Sequence, residues 1–337
     1  MTSLAERALD AAVRHATYLI FAAVLLWFGL QSPVFLMPES LANIVKQSSF
    51  IGIAAIGMTF VLLTGGIDLS VGSVMFLAAL IAGMVMRALD LPVPAGMVVA
   101  LLTGVVLGLI NAFFIVVLRV IPFIVTLATL FLFRGFGIWL TSSTQFDFPP
   151  AMRAFGLSSI LGVPLPIVVF AAFALMAHVV LAHTTFGRQV YAFGNDPEAA
   201  RKSGVKIAWV QARVYVISSA CAAVAGFVLI AQIGRLDAGF GEGREFDVIA
   251  AAVLGGASLM GGSGTALGAV MGATLIQTVK MGLVFTGVNL YLQPILQGAI
   301  IFLAVLADGL RNTRMRSRLR RTIRTVEPAS GPAGRRI

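Results

Sequence analysis

An all-α integral membrane protein is the fold class this sequence predicts: a polytopic helical bundle of about ten transmembrane helices with both termini cytoplasmic. Three observations predict it. Hydrophobic residues make up 59% of the 337 and charged residues only 11%, where soluble domains carry about 25%. Apolar runs of the roughly 20 residues needed to cross a bilayer recur along the chain, without the alternation of a β-barrel. Lysine and arginine gather on one side of the map those runs define.

In order, the spans are expected at 17–31, 43–63, 69–88, 94–117, 121–140, 164–182, 207–231, 247–260, 264–285 and 291–308. The first resembles the core of a signal peptide, but "WFGLQSPVF" follows it with no small-x-small cleavage site, so it reads as an uncleaved helix. The second opens on Asn43, Lys46 and Gln47, and the eighth is short. With residues 1–16 inside, the inner segments hold 16 Lys and Arg and the outer loops three, Arg153, Arg235 and Arg244. The positive-inside rule then puts both ends in the cytoplasm. Three parts result: a cytoplasmic segment 1–16, a transmembrane domain 17–308 and an Arg-rich cytoplasmic tail 309–337. Nine of the 20 arginines lie in the last 27 residues. Directly after a span, such a tail reads as a topology signal and then as a contact for membrane lipid. It has no interleaved aromatics, so no nucleic acid is expected as a partner.

Between the second and third spans stands "GGIDLSVGS" (65–73). Gly65 and Gly66 are expected to break the helix and turn the chain. Asp68 then falls at the inner end of the second span, outside the hydrocarbon centre, where its carboxylate can cap the N–H of Ser70 or Val71. A contact with a partner chain and a buried acid on a transport pathway are the rival readings. "GGASLMGGS" (255–263) matches it at five of nine positions, as an internal repeat with interrupted helices would, or as Gly-rich sequence matching itself. Gly104 and Gly108, and Gly264, Gly268 and Gly272, are spaced to let helix backbones approach.

No enzyme constellation is present. His15, His178 and His183 are scattered, the one cysteine is Cys221, and no zinc pattern occurs. "GGSGTALG" (261–268) lacks the Lys-Ser/Thr end of a phosphate-binding loop. No catalytic residue, metal or cofactor is therefore expected. No acid falls in the middle of a span, which argues against a stand-alone proton- or sodium-coupled transporter. Thr59, Asn111, Thr126, Thr129 and Gln277 are the neutral polar residues at depth. They could line a pathway for a neutral polar solute or bond neighbouring helices.

The longest inner segment contains "GNDPEAARKSGV" (194–205). Asn195 or Asp196 can cap a short helix there, Pro197 suits its first turn, Glu198 stands at capping-box spacing from Asn195, and Gly204 supplies a left-handed stop. Two turns are not stable alone, so a partner or the membrane surface must hold them.

Taken together, "GMTFVLLTGGIDLSVGS", "GRQVYAFGNDPEAARKSGV" and "DVIAAAVLGGASLMGGSGTALGAVMGA" resemble the ribose-type sugar permeases of bacterial ABC importers, from about residue 40 to 308. The resemblance implies a multi-pass inner-membrane subunit for a monosaccharide or similar polyol. It further implies a second permease copy (homodimer or heterodimer), a separate cytoplasmic ATP-binding subunit and a periplasmic sugar-binding protein. The 194–204 helix would be the coupling helix that docks on the ATPase, with Gly194, Asn195, Glu198, Ala199, Ala200, Ser203 and Gly204 at or beside the contact. The related branched-chain amino acid permeases share the broad architecture and are the alternative.

Overall fold

The computed structural model describes residues 16–292, together with 294–296, 298, 299 and 302. Twelve helices follow one another among them: α1 Ala16–Gln31, α2 Pro38–Leu63, α3 Val71–Leu89, α4 Val93–Ala112, α5 Pro122–Thr141, α6 Pro150–Leu157, α7 Leu165–His183, α8 Thr185–Asn195, α9 Pro197–Lys202, α10 Ile207–Ile233, α11 Arg244–Leu254 and α12 Ala266–Phe285. α4 runs on through one wider π turn, Phe113–Val117. Proline at the first position starts α2, α5, α6 and α9, where its missing N–H costs nothing.

Seven of these, α2, α3, α4 with its π turn, α5, α7, α10 and α12, are long and apolar enough to cross a membrane. The chain is thus a polytopic helical membrane protein. α1 has 16 residues and coincides with the expected first span. The expected eighth span, 247–260, is corrected: α11 occupies 11 residues and stops at Leu254, because Gly255 and Gly256 end it. The expected tenth span, 291–308, lies mostly outside the described residues.

α10 is the central post, packed against α4, α2 and α3. In α2 and α10, 83% of the most apolar window is buried in protein, against 28% in α5 and α7. The latter two therefore present most of their side chains outward from the bundle. Small residues set the close contacts. A side chain on Gly108 would stand 2.7 Å from Val216 Cα, and one on Gly104 2.7 Å from the Ser219 carbonyl oxygen, so α4 lies directly on the α10 backbone. Gly268 and Gly272 do the same for α12 against the end of α11, at the Gly255 and Ala251 carbonyls. Gly264, the third member of that stripe, is not helical; it has φ +148° in the turn before α12. Away from this core, Phe28, Phe35, Ile44 and Leu283 form a smaller cluster joining α1, α2 and α12. Phe146–Asp147 pairs antiparallel with Arg235–Leu236, tying the α5–α6 connection to the end of α10.

These contacts are testable on the purified protein in detergent. Gly272→Ala should lower its thermal stability, since overpacking costs about 1–3 kcal/mol. Gly135→Ala, whose new methyl meets nothing within 4 Å, should leave it unchanged or slightly raised. Size-exclusion profiles after heating report both.

Candidate functional site

The segment 183–206 folds as two helices meeting at Asn195 and Asp196. α8 was not expected from the sequence as a helix, although Phe186, Val190 and Phe193 carry a helical spacing. Thr184 caps it by accepting from Gly187 N–H at 3.1 Å, and Gly187, Val190 and Phe193 are buried. Asp196, not Asn195, caps α9: its Oδ1 accepts from the N–H of Glu198 (2.9 Å) and Ala199 (3.0 Å). The expected capping box does not form, because Glu198 instead faces Lys202 at 3.5 Å. Both groups are exposed, so that pair adds little. Gly204 ends the turn at φ +86°, as its position predicted. Glu198, Ala199, Ser203 and Gly204 are exposed, whereas Ala200 is buried beneath them. Ala200 therefore anchors α9 from its inner side, next to the exposed residues and not among them.

The other face of α8 meets two helix ends. α2 closes in a Schellman motif: Gly66 N–H bonds the Val61 carbonyl (3.2 Å), Gly65 N–H bonds Leu62 (2.8 Å), and Gly65 takes φ +72°. α11 closes in the same way, with Ala257 N–H on Ala252 (3.0 Å), Gly256 N–H on Val253 (2.8 Å) and Gly256 at φ +94°. The two Gly-Gly pairs therefore perform one task, one residue out of step with their alignment. The turns also join each other: Gly262 N–H donates to the Leu63 carbonyl at 2.9 Å. α8 lies on this joint. A side chain on Gly194 would overlap the Leu63 carbonyl oxygen and come within 2.5 Å of Gly262 N. Asn195 flanks Gly262 on its other side, and Tyr191 OH donates to the Gly264 carbonyl at 2.7 Å. Burial holds the Tyr191 phenol above its ordinary range, so it remains a donor.

Beneath the joint lies Asp68, whose expected bond to the Ser70 N–H forms, while its expected place near water is corrected. Its carboxylate is fully buried rather than solvated. Oδ1 accepts from Ser70 N–H (3.0 Å) and Ser70 Oγ (2.6 Å), and Oδ2 accepts from Ser218 Oγ (2.8 Å). Ser70 is itself the residue before α3, so Asp68 bonds the capping residue and not the free amides of the first turn. Ser218 is eleven residues into α10, about 17 Å along its axis. The network continues: Asn111 Nδ2 donates to Ser70 Oγ (2.9 Å), and Thr129 Oγ1 donates to Asn111 Oδ1 (2.8 Å). One chain of polar groups thus ties α10, the 64–70 turn, α4 and α5. Gly66 has a second reason to lack a side chain, since one there would strike Tyr215 Oη.

The polar residues considered for a pathway stand as follows. Asn111 and Thr129 are members of the network, and Thr126 Oγ1 donates to the Ile67 carbonyl at 3.3 Å. Thr59 bonds Ala55 of its own helix at 2.8 Å. All four are buried; the bonds of Asn111, Thr126 and Thr129 join different elements, that of Thr59 stays within α2, and Gln277 is half-buried on α12. Sequence reasoning did not single out Ser218, Tyr191 or the Leu63 carbonyl. A serine in an apolar span and a backbone oxygen carry no sequence signal of their partners.

Residues 40–305, which include the joint, the network and α8–α9, match the family model described as the branched-chain amino acid transport system / permease component. The chain belongs to this permease family. Over 284 residues the permease is 38% identical to the ribose import permease protein of Bacillus subtilis (strain 168), covering 83% of this chain and 88% of that one. It is 36% identical over 283 residues to the ribose import permease protein of Escherichia coli (strain K12), covering 82% and 88%. With the galactose/methyl galactoside import permease protein of the same strain it shares 33% over 316 residues, 88% and 94% of the two chains. No solved structure matches the permease.

The network makes a graded prediction. In Asp68→Asn the amide oxygen can still accept from Ser70, and the Ser218 hydroxyl can turn to accept from the amide nitrogen. Stability should stay close to that of the unmodified permease. Asp68→Ala leaves Ser70 and Ser218 hydroxyls without an acceptor and should lose about 1–3 kcal/mol. Thermal melts of the detergent-purified protein separate the two; equal losses would mean that the negative charge itself is required.

Proposed function

We propose that this permease is the membrane subunit of an ATP-binding-cassette importer that carries a monosaccharide or similar polyol across the inner membrane. The observation that carries the mechanism is the seat of Gly194 on the joint between the α2 and α11 ends. α9 is too short to be stable alone and offers Glu198, Ala199, Ser203 and Gly204 outward. Its neighbour α8 touches both interrupted helices. A cytoplasmic ATP-binding subunit docking on α9 would push α8, and α8 would move the joint. The two helix ends would then shift together, and with them α3 and α12, which leave the same turns. The chain does no covalent chemistry; ATP hydrolysis belongs to the partner.

Sugar as cargo is supported by the relatives, whose names specify ribose and galactose or methyl galactoside import. The family model's description keeps branched-chain amino acids as the second reading. The importer would comprise two permease copies, the ATP-binding subunits and a periplasmic sugar-binding protein. Of the ten membrane segments, α11 would enter as a half-helix and return through the 255–265 turn. Both termini, 1–16 and the Arg-rich 309–337, would lie in the cytoplasm, as the 16-to-3 division of basic residues supports.

Two variants divide docking from transmission. Ala199→Arg should abolish both co-purification with the ATP-binding subunit and sugar-stimulated ATP hydrolysis. Gly194→Ala should keep co-purification but lower stimulated hydrolysis about tenfold, because its methyl group forces α8 off the joint. Normal stimulation in Gly194→Ala would sink the relay. Uptake of labelled ribose, galactose and leucine into vesicles holding the full importer decides the cargo class. For topology, on a Cys221→Ala background, an impermeant thiol reagent added to the periplasmic face should label Asp147→Cys and Gly239→Cys but not Lys202→Cys. Labelling of the last from that face would reverse the map.

A further inference from the structure

Beside the α8–α9 pair, on the side away from the joint, lies a cavity of about 310 Å³ lined by Gln189, Gly204, Lys206, Trp209, Val210 and Arg213. Two of its side chains are cations. Among the described residues neither Lys206 nor Arg213 pairs with an acid. The nearest acids in sequence are engaged elsewhere: Asp196 caps α9 and Glu198 faces Lys202. The Arg213 guanidinium instead stacks near aromatic rings, 5.7 Å from the Trp209 centroid and 5.8 Å from Phe186. That fixes its plane and leaves its N–H groups for an outside acceptor.

Depth identifies the acceptor. From Val214 to Ile233, α10 runs without a charged residue. Those residues span about 30 Å at 1.5 Å each, the thickness of the hydrocarbon core. Arg213 is the last residue before that stretch. Lys206, Trp209 and Arg213 therefore stand at headgroup level, and Trp209, 61% exposed, takes the position of an interfacial aromatic. We propose that this cavity binds the phosphate of an anionic phospholipid headgroup, held by Lys206 and Arg213 with the Gln189 amide as a further donor. The lipid would then sit against α8 and the start of α10, where it could bias the movement of the α8–α9 pair. The proposal needs the chain to be a membrane protein, but not the identity of its cargo or its ATPase contact.

The test uses the full-length permease in phosphatidylcholine vesicles doped with a photoactivatable phosphatidylglycerol or, in parallel, a photoactivatable phosphatidylcholine. Cross-linked peptides are mapped by mass spectrometry. The glycerol lipid should label the segment 186–213 and the choline lipid should not. Lys206→Gln and Arg213→Gln should each reduce that labelling about fivefold, the effect of one cation near an anionic surface; Lys206→Arg should keep it. Labelling of α5, none of whose residues line the cavity, serves as the folding control and should not change in any variant. Equal labelling by the two lipids, or full labelling in the double Gln variant, overturns the proposal. So does saturable binding of inorganic phosphate by the lipid-free permease together with no labelling by phosphatidylglycerol, which would make the site one for free phosphate. If the double variant keeps its lipid but no longer retains the ATP-binding subunit, the cavity docks that protein and the lipid reading fails.

Discussion

Leu63 ends a 26-residue helix inside the protein, and its carbonyl has no acceptor role left to fill within that helix. Water is scarce there, so the oxygen must find a donor elsewhere in the chain. It finds Gly262 N–H, 199 positions further along the chain by numbering (262 minus 63). Much of the rest depends on that bond. It requires α2 to end before Gly65, α11 to end before Gly256, and the two resulting turns to lie against each other. It also requires Gly194, because any side chain on α8 at that point would occupy the Leu63 oxygen. Backbone pairing in a dry interior thus sets the positions of three glycine clusters that are far apart in the sequence.

Asp68 obeys the same constraint with a charge-bearing group. Burying a carboxylate is costly unless donors replace its water shell. Ser70 supplies an N–H and a hydroxyl and Ser218 a second hydroxyl, so both oxygens are met. Satisfied in this way, the network joins four elements that otherwise meet through apolar contact, and partial loss would be worse than an apolar replacement throughout. The turn at 64–70 is held from above by the Gly262 bond and from below by Asp68. A relay that moves this turn would move a stiff unit, not a floppy loop.

The α8–α9 pair divides its faces between roles. Gly194, Asn195 and Tyr191 face the joint, Glu198 and Ala199 face outward, and Gln189 borders the basic cavity. Two short helices at an angle can do this because one cap residue, Asp196, ends the first and starts the second. In a permease whose relatives are named for sugar import, this gives one small element a face on the transmembrane helices, a face on the basic cavity and an exposed face.

Composition and hydropathy by themselves determined the membrane bundle and the limits of most long helices, since apolar length is a local property. Gly65, Gly204 and the cap at 195–196 were also legible, because a helix end is written in a few adjacent residues. The short length of α11 was not: "DVIAAAVLGGASL" is apolar enough to read as a span, and only the paired turns show where it stops. Asp68 was placed too near water for the same reason. Its neighbours in sequence suggest a cap, while the residue that buries it, Ser218, is 150 positions away. Thr126, Thr129 and Asn111 read from the sequence as pathway lining or as packing, and the sequence does not show the bonds that each makes to another element. Helix existence follows from short-range chemistry that any window of sequence displays. Which polar groups satisfy one another follows from long-range contacts, and these exist only once the helices have packed.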